Sequence, residues 1–349
     1  MRRSRWAAAT AVAVANVGLG GVAAGPAAAS HVACGQVVTH DVVLDANVGP
    51  CPDGGIVIGA DHVTLDLNGH RVFGTEDPGD GAGILVQGRT GVTVTNGTVS
   101  LFDAGIAVLG GSGNLVTGIR AVNNVGAGNT DFGDGIAIGS SSGNTVSGNR
   151  VVANGPFSGI GVFGAASTGN VIDGNAIVGN DAVDVTDPNH GDPSGTQQTD
   201  GVRLEPLTSA NTVTNNVVRG SGLDGIAVFA RSTDNVVRGN DVRGNGFHDK
   251  AHRKGSGIIL FNRADRNRIE ANTVIGNAAN GIVLRGPLGA IPGAQDNHVI
   301  GNTTRGNGVL VDPETAFYDL RDDNFDPPCD RNVWRANTYR TFNQPCVTQ

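Results

Sequence analysis

The sequence predicts an all-β fold, a right-handed parallel β-helix: one solenoid of three short sheets with about 22–24 residues per rung. Two repeats and one absence point there. A Gly-aliphatic-x-aliphatic unit starts at Gly83, Gly105, Gly135, Gly159, Gly201, Gly225, Gly257 and Gly281, at spacings of 22, 30, 24, 42, 24, 32 and 24 residues. An Asn-x-aliphatic-x-x-Asn unit runs in step with it, from Asn144/Asn149 through Asn170/Asn175, Asn211/Asn216 and Asn235/Asn240 to Asn332/Asn337. No stretch carries the 3.6-residue periodicity of a helical solenoid, and the unit is too short for a four-stranded propeller blade.

Each element follows from that period. Ile106, Ile136, Ile160, Val202, Ile226, Ile258 and Ile282 should stack as one interior column, and the residues between them should point outward. Asn tolerates left-handed backbone and its amide can bond the neighbouring rung, so stacked Asn at a turn should form a ladder. Gly is expected to supply the remaining tight corners. Open solenoid ends need caps, and residues 31–58 and 316–349 are the natural ones, within a single domain over 31–349.

Residues 1–30 read as a signal peptide: Arg2, Arg3 and Arg5, then an Ala/Val/Gly-rich stretch, then small residues that place cleavage just before Ser30 or His31. Secretion, with no membrane attachment after cleavage, is the expectation. Four cysteines allow three pairings. Their even number, the export signal and their clustering at the two ends favour Cys34 with Cys51 and Cys329 with Cys346. No CxxC or Cys/His cluster suggests a metal thiolate.

The chain has 24 basic and 32 acidic residues, a formal charge of −8, and loss of the three leader arginines takes it to about −11. That balance argues against nucleic acid or an anionic membrane as partner. An anionic polysaccharide would need a local cationic patch or a bound cation. The expected partner is a polysaccharide or small-molecule substrate, met by a monomer.

Two end segments, CPDGGIVIGADHVTLDLNGHRVFG (51–74) and YDLRDDNFDPPCDRNVWRANTY (318–339), resemble the end regions of secreted actinobacterial proteins of the right-handed parallel β-helix (pectin-lyase-like) superfamily. The resemblance implies the fold over the whole mature chain. It leaves function open among polysaccharide lyases, glycoside hydrolases, uronate epimerases, copper-maturation accessory proteins and members without activity. The segment Asp187-Pro188-Asn189-His190 is similar to the Asp-Pro-His of alginate C5-epimerases but is split by Asn189.

Three rungs carry insertions at one place, roughly Gly126–Gly133, Asp181–Thr199 and Gly246–Gly255, so the loops should project from one corner and wall a groove over the Gly-Ile strands. Alternation makes the groove floor Ala107, Ala137, Gly161, Arg203, Ala227, Ile259 and Val283, small enough to leave room. The next outward column includes Phe163, Phe229 and Phe261, an aromatic platform for a sugar ring, and Glu205 and Arg285. Asp134, Asp200 and Asp224 precede rung glycines and should stack on one line. The inserts add Asp187, His190, His248, Lys250 and Arg253.

The function expected is a carbohydrate-active enzyme that removes the C5 proton of a uronic-acid polysaccharide, by β-elimination or C5-epimerisation. Arg203 would face the sugar carboxylate, His190 or His248 would transfer the proton, and Asp200, Asp224 and Glu205 would assist as acid or base. Asp134, Lys250 and Arg253 would bind substrate. A Ca²⁺ held by Asp200, Asp224 and Asp187 is the candidate cofactor. The alternatives are a non-catalytic glycan-binding protein and a biosynthetic cyclase folding a small apolar substrate in the Phe-lined groove.

Overall fold

The computed structural model describes residues 29–75, 81–126, 133–182, 199–247, 255–310 and 316–348. Its named strands pair in parallel and stack in three columns. The Gly-Ile strands form an eleven-stranded sheet from Val37–Val38 to Leu320–Asp322. The other two columns begin at Ala29–Ser30, which pairs with Val42–Leu44, and at Val48–Cys51, and the strands Thr93–Ser100 and Leu115–Val122 run through both. This is the predicted solenoid. Within the 31–58 end region, residues 37–58 supply strands to all three columns.

The register matches the glycine spacing. Ile106, Ile136, Ile160, Val202, Ile226, Ile258 and Ile282 pair in succession and are fully buried. Burying each such side chain contributes about 1.5–3 kcal/mol, so the core grows with every rung.

The corners differ from expectation in a useful way. The left-handed residue is the one before the ladder Asn, such as Gly239 before Asn240 or Ala271 before Asn272. The rung glycines are not turn residues. A Cβ on Gly225 would lie 2.6 Å from the Gly257 carbonyl oxygen and 2.9 Å from Asn245 Nδ2. Glycine is required there by close packing.

Asn245 belongs to a third ladder beside the two expected. The first runs from Asn114 to Asn332 and the second from Asn149 to Asn337. The third passes through Asn124, Asn154 and Asn180, is interrupted by Ser221, and resumes through Asn245, Asn277 and Asn307 to Asp319. Within a ladder each Oδ1 accepts both the backbone N–H and the side-chain N–H of the preceding Asn.

Both ends are stapled by Cys34–Cys51 and Cys329–Cys346, each 17 residues apart. At the C-terminal end Asp322 follows Leu284 in a column that is otherwise apolar. Its carboxylate accepts the indole N–H of buried Trp334 at 2.9 Å, and the 3₁₀ turn Pro345–Thr348 closes over the core with Val347 buried. Replacing Cys329 and Cys346 together by Ala is expected to cost about 3 kcal/mol by loop entropy. Denaturant unfolding checks this, and an unchanged midpoint would mean that Trp334 and Asp322 hold the end alone.

Candidate functional site

The outer face of the Gly-Ile sheet carries the residues the sequence singled out. The insertions do leave from one corner: Ala182 N–H bonds Asn154 O and Gly246 N–H bonds Ser221 O, so these two loops start just past the third Asn ladder. Two more insertions, between residues 75 and 81 and between 310 and 316, leave the chain just before Gly-Ile-sheet strands as well. Residues 127–132, 183–198 and 248–254 lie outside the described residues, and Asp187, His190, His248, Lys250 and Arg253 lie there with them.

Asp134, Ser158 and Asp200 are in register as predicted. The Ser158 hydroxyl donates to Asp134, Asp224 N–H donates to Asp200 Oδ1 at 3.0 Å, and Ser256 N–H donates to Asp224 Oδ1 at 2.6 Å. Asp200 and Asp224 thus hold the backbone of the following rung, the reverse of a ladder Asn, whose Oδ1 accepts from the preceding one. Asp134 and Ser158 lie over Gly161, where a Cβ would come within 2.9 Å of both.

Arg203 is the centre of the cluster. Its Nε donates to Asp200 Oδ2 at 2.7 Å, its Nη1 lies 3.7 Å from Glu205, and its guanidinium stacks 4.7 Å from the Phe229 ring centre. Phe229 in turn stacks on Phe261, with centroids 4.6 Å apart and planes 20° apart. These rings pack onto Ala227, Ile259 and Val283, which are buried. The floor is therefore covered, not open. Small side chains let the rings fold down and bury their own apolar area, and a ligand would meet the upper side of the rings. Phe163 lies apart from them, over Gly139 and beside Leu109.

Burial pushes both Asp200 and Asp224 upward. At Asp200 the Arg203 charge opposes it. At Asp224 the Asp200 charge adds to it, and the carboxyl reaches about 7. Folded Asp224 thus keeps a proton that an unfolded Asp releases near 3.9. Its contribution to stability is complete below about pH 4 and is lost as pH rises through about 7. Asp224→Asn keeps the oxygen facing Ser256 N–H and removes the titration. The melting temperature of the wild type should therefore fall more steeply between about pH 5 and pH 8 than that of Asp224→Asn. Parallel curves would refute it.

The pair Asp200 and Asp224 does not fit Ca²⁺. Asp200 spends one oxygen on an amide and the other on Arg203, and Asp224 Oδ1 is also taken. A guanidinium in contact repels a cation. Among the described residues no group of three or more His, Cys, Asp and Glu could hold a metal ion.

Arg285 is the side chain whose role the sequence reading overlooked. It follows Phe261 in the outward column and is 45% exposed, against 11% for Arg203. Its partner Asp323 is 3.9 Å away and is already held by Arg321 at 2.7 Å. The arrangement can stack a flat ring between an acidic end around Glu205 and a cationic end at Arg285.

Among solved structures, the chain is similar to the Dettilon tailspike protein (17% identity, TM-score 0.59, 86% of this chain and 55% of that one). It is also similar to the alginate lyase from Paenibacillus sp. str. FPU-7 (15%, 0.52, 88% and 91%). A third is the A-module of the mannuronan C-5 epimerase from Azotobacter vinelandii (13%, 0.52, 89% and 89%). At these identities the likeness is one of fold. No curated protein sequence matches the chain. The family model described as right handed beta helix region matches residues 41–194 and 195–326, and the chain belongs to that family.

Proposed function

We propose that the chain acts on a uronic-acid-containing polysaccharide, laid over the Phe229–Phe261 stack, by β-elimination or C5-epimerisation. One observation carries this: carboxyl groups of Asp134, Asp200, Glu205 and Asp224 gather around Arg203, and one of them keeps its proton near neutrality beside an aromatic platform. The alginate lyase and the mannuronan epimerase lend the substrate class. The two disulfides, and the absence among the described residues of a helix long and apolar enough to cross a membrane, fit work outside the cell.

Glu205 is the more exposed acid and takes the C5 proton. In β-elimination the C–H electrons form the C4–C5 double bond, the C4–O bond breaks, and the leaving oxygen takes the proton of Asp224. In epimerisation C5 instead takes a proton from a solvent water on the other face, and the hydroxide left is neutralised by the proton held on Glu205. Negative charge builds on the sugar carboxylate meanwhile, and Arg285 meets it better than Arg203, whose charge Asp200 and Glu205 already share. Incubation with a panel of polyuronates, followed by the ultraviolet absorbance of unsaturated product and by solvent exchange at C5, tests this. Silence in both across the panel rules it out.

A second reading, glycan binding without turnover, is favoured by the structural use of Asp200 and Asp224, whose oxygens hold the next rung's amides. Binding to polyuronates with neither signal would select it.

A further inference from the structure

We propose that a different face of the solenoid, on the two sheets away from the Gly-Ile strands, is a docking surface for a linear acidic polysaccharide. Between residues 212 and 340 the outward positions of one sheet carry Arg219, Arg243 and Arg305, in line along the solenoid axis, and Arg340 follows two residues past the bridge from Thr303 to Thr338. The adjoining sheet carries Arg238 and Arg335 in line, with Arg268 beside them. Among the described outward positions of this span only Asp241 and Glu270 oppose these seven arginines, so five positive charges remain there on a chain whose formal net charge is −8.

The two acids are also already engaged. Asp241 is held by Arg219 at 2.6 Å and by Arg243, and Glu270 by Arg268 at 2.7 Å. Arg238, Arg305, Arg335 and Arg340 are exposed and make no ion pair among the described residues. The ladder fixes their spacing: two rungs, about 10 Å, from Arg243 to Arg305, and three, about 14 Å, from Arg238 to Arg335. Half-buried Ile275 and Ile300 lie between them in the same columns and offer apolar contact to a sugar ring.

A rigid comb of guanidinium groups suits carboxylates, which it can grip with two hydrogen bonds each. Duplex DNA carries a charge every ~1.7 Å of axis and would be repelled by the acidic remainder of the molecule. A polyuronate has one charge per sugar and can follow the comb along the axis. No aromatic side chain stands among these outward positions to stack nucleic acid bases. This face does not depend on what the Phe229 groove does.

The test uses the full chain with Phe229→Ala, Phe261→Ala and Arg285→Ala, which removes the platform and the exposed cation of the groove, titrated at low and moderate salt with soluble polygalacturonate, neutral dextran and duplex DNA. Polygalacturonate should bind and weaken with salt, and dextran should not bind. Adding Arg305→Ala, Arg335→Ala and Arg340→Ala should weaken binding about ten-fold, as three exposed ion pairs of ordinary strength would, with the melting temperature unchanged. The proposal is overturned if polygalacturonate does not bind the parent, if the added substitutions leave its affinity unchanged, or if DNA binds more tightly.

Discussion

Arg203→Ala is expected to cost about 3–5 kcal/mol of stability, the usual price of leaving buried charge without its partner. Its guanidinium bonds fully buried Asp200, approaches Glu205 and sits over the Phe229 ring. Without it the carboxyls must hold protons to stay buried, so the loss should be smaller at about pH 5 than at about pH 8. Asp200→Asn in the Arg203→Ala background removes the stranded charge and should recover a large part of the loss. Arg203→Lys should recover less, because an ammonium cannot both fork toward two carboxylates and stack on a ring. Denaturant unfolding of the four proteins at both pH values decides the matter. A loss under about 1 kcal/mol at the higher pH, or no rescue by Asp200→Asn, would mean that the cluster is not held together by charge.

Asn240→Ala is expected to cost a comparable amount, about 3–5 kcal/mol, from several buried polar groups left unpaired at once. Asn240 Oδ1 accepts from Asn216 N–H and Asn216 Nδ2, and its own Nδ2 donates to Val213 O and Asn272 Oδ1. Asn240 and Asn216 are both buried, so solvent does not reach the groups that the substitution leaves. Asn337 ends the same ladder and is only partly buried. Solvent can serve the groups it leaves, so Asn337→Ala should cost less than half as much. Equal losses at the two positions would contradict a ladder whose strength comes from its buried middle.

How much was legible depended on whether a signal lay in the period or in side-chain packing. Ile106 to Ile282 could be put inside, and Asp134 and Asp200 on one line, because a fixed rung spacing settles both. The third ladder was equally legible and was overlooked: Asn144, Asn149 and Asn154 are spaced by five, as are Asn170, Asn175 and Asn180. The role of the rung glycines was not legible, since Gly225 is required by atoms of Asn245 and Gly257, which neighbour it only across rungs. Nor was the covered floor. Alternation says that Ala227 and Phe229 share a face, but not that one ring lies down over the other position. The preference for Arg285 over Arg203 needed ion-pair distances that no pattern carries.

The most direct test of the uronate reading is loss of the C5 proton, followed as deuterium wash-in or unsaturated product, with wild type and Glu205→Gln compared on the same oligouronate. If the groove works as proposed, the wild type removes the proton and Glu205→Gln, still folded, is slower by about 10²–10⁴-fold, as removal of a general base should make it. Equal rates in the two proteins, or no proton loss from any uronate by the wild type, would contradict it.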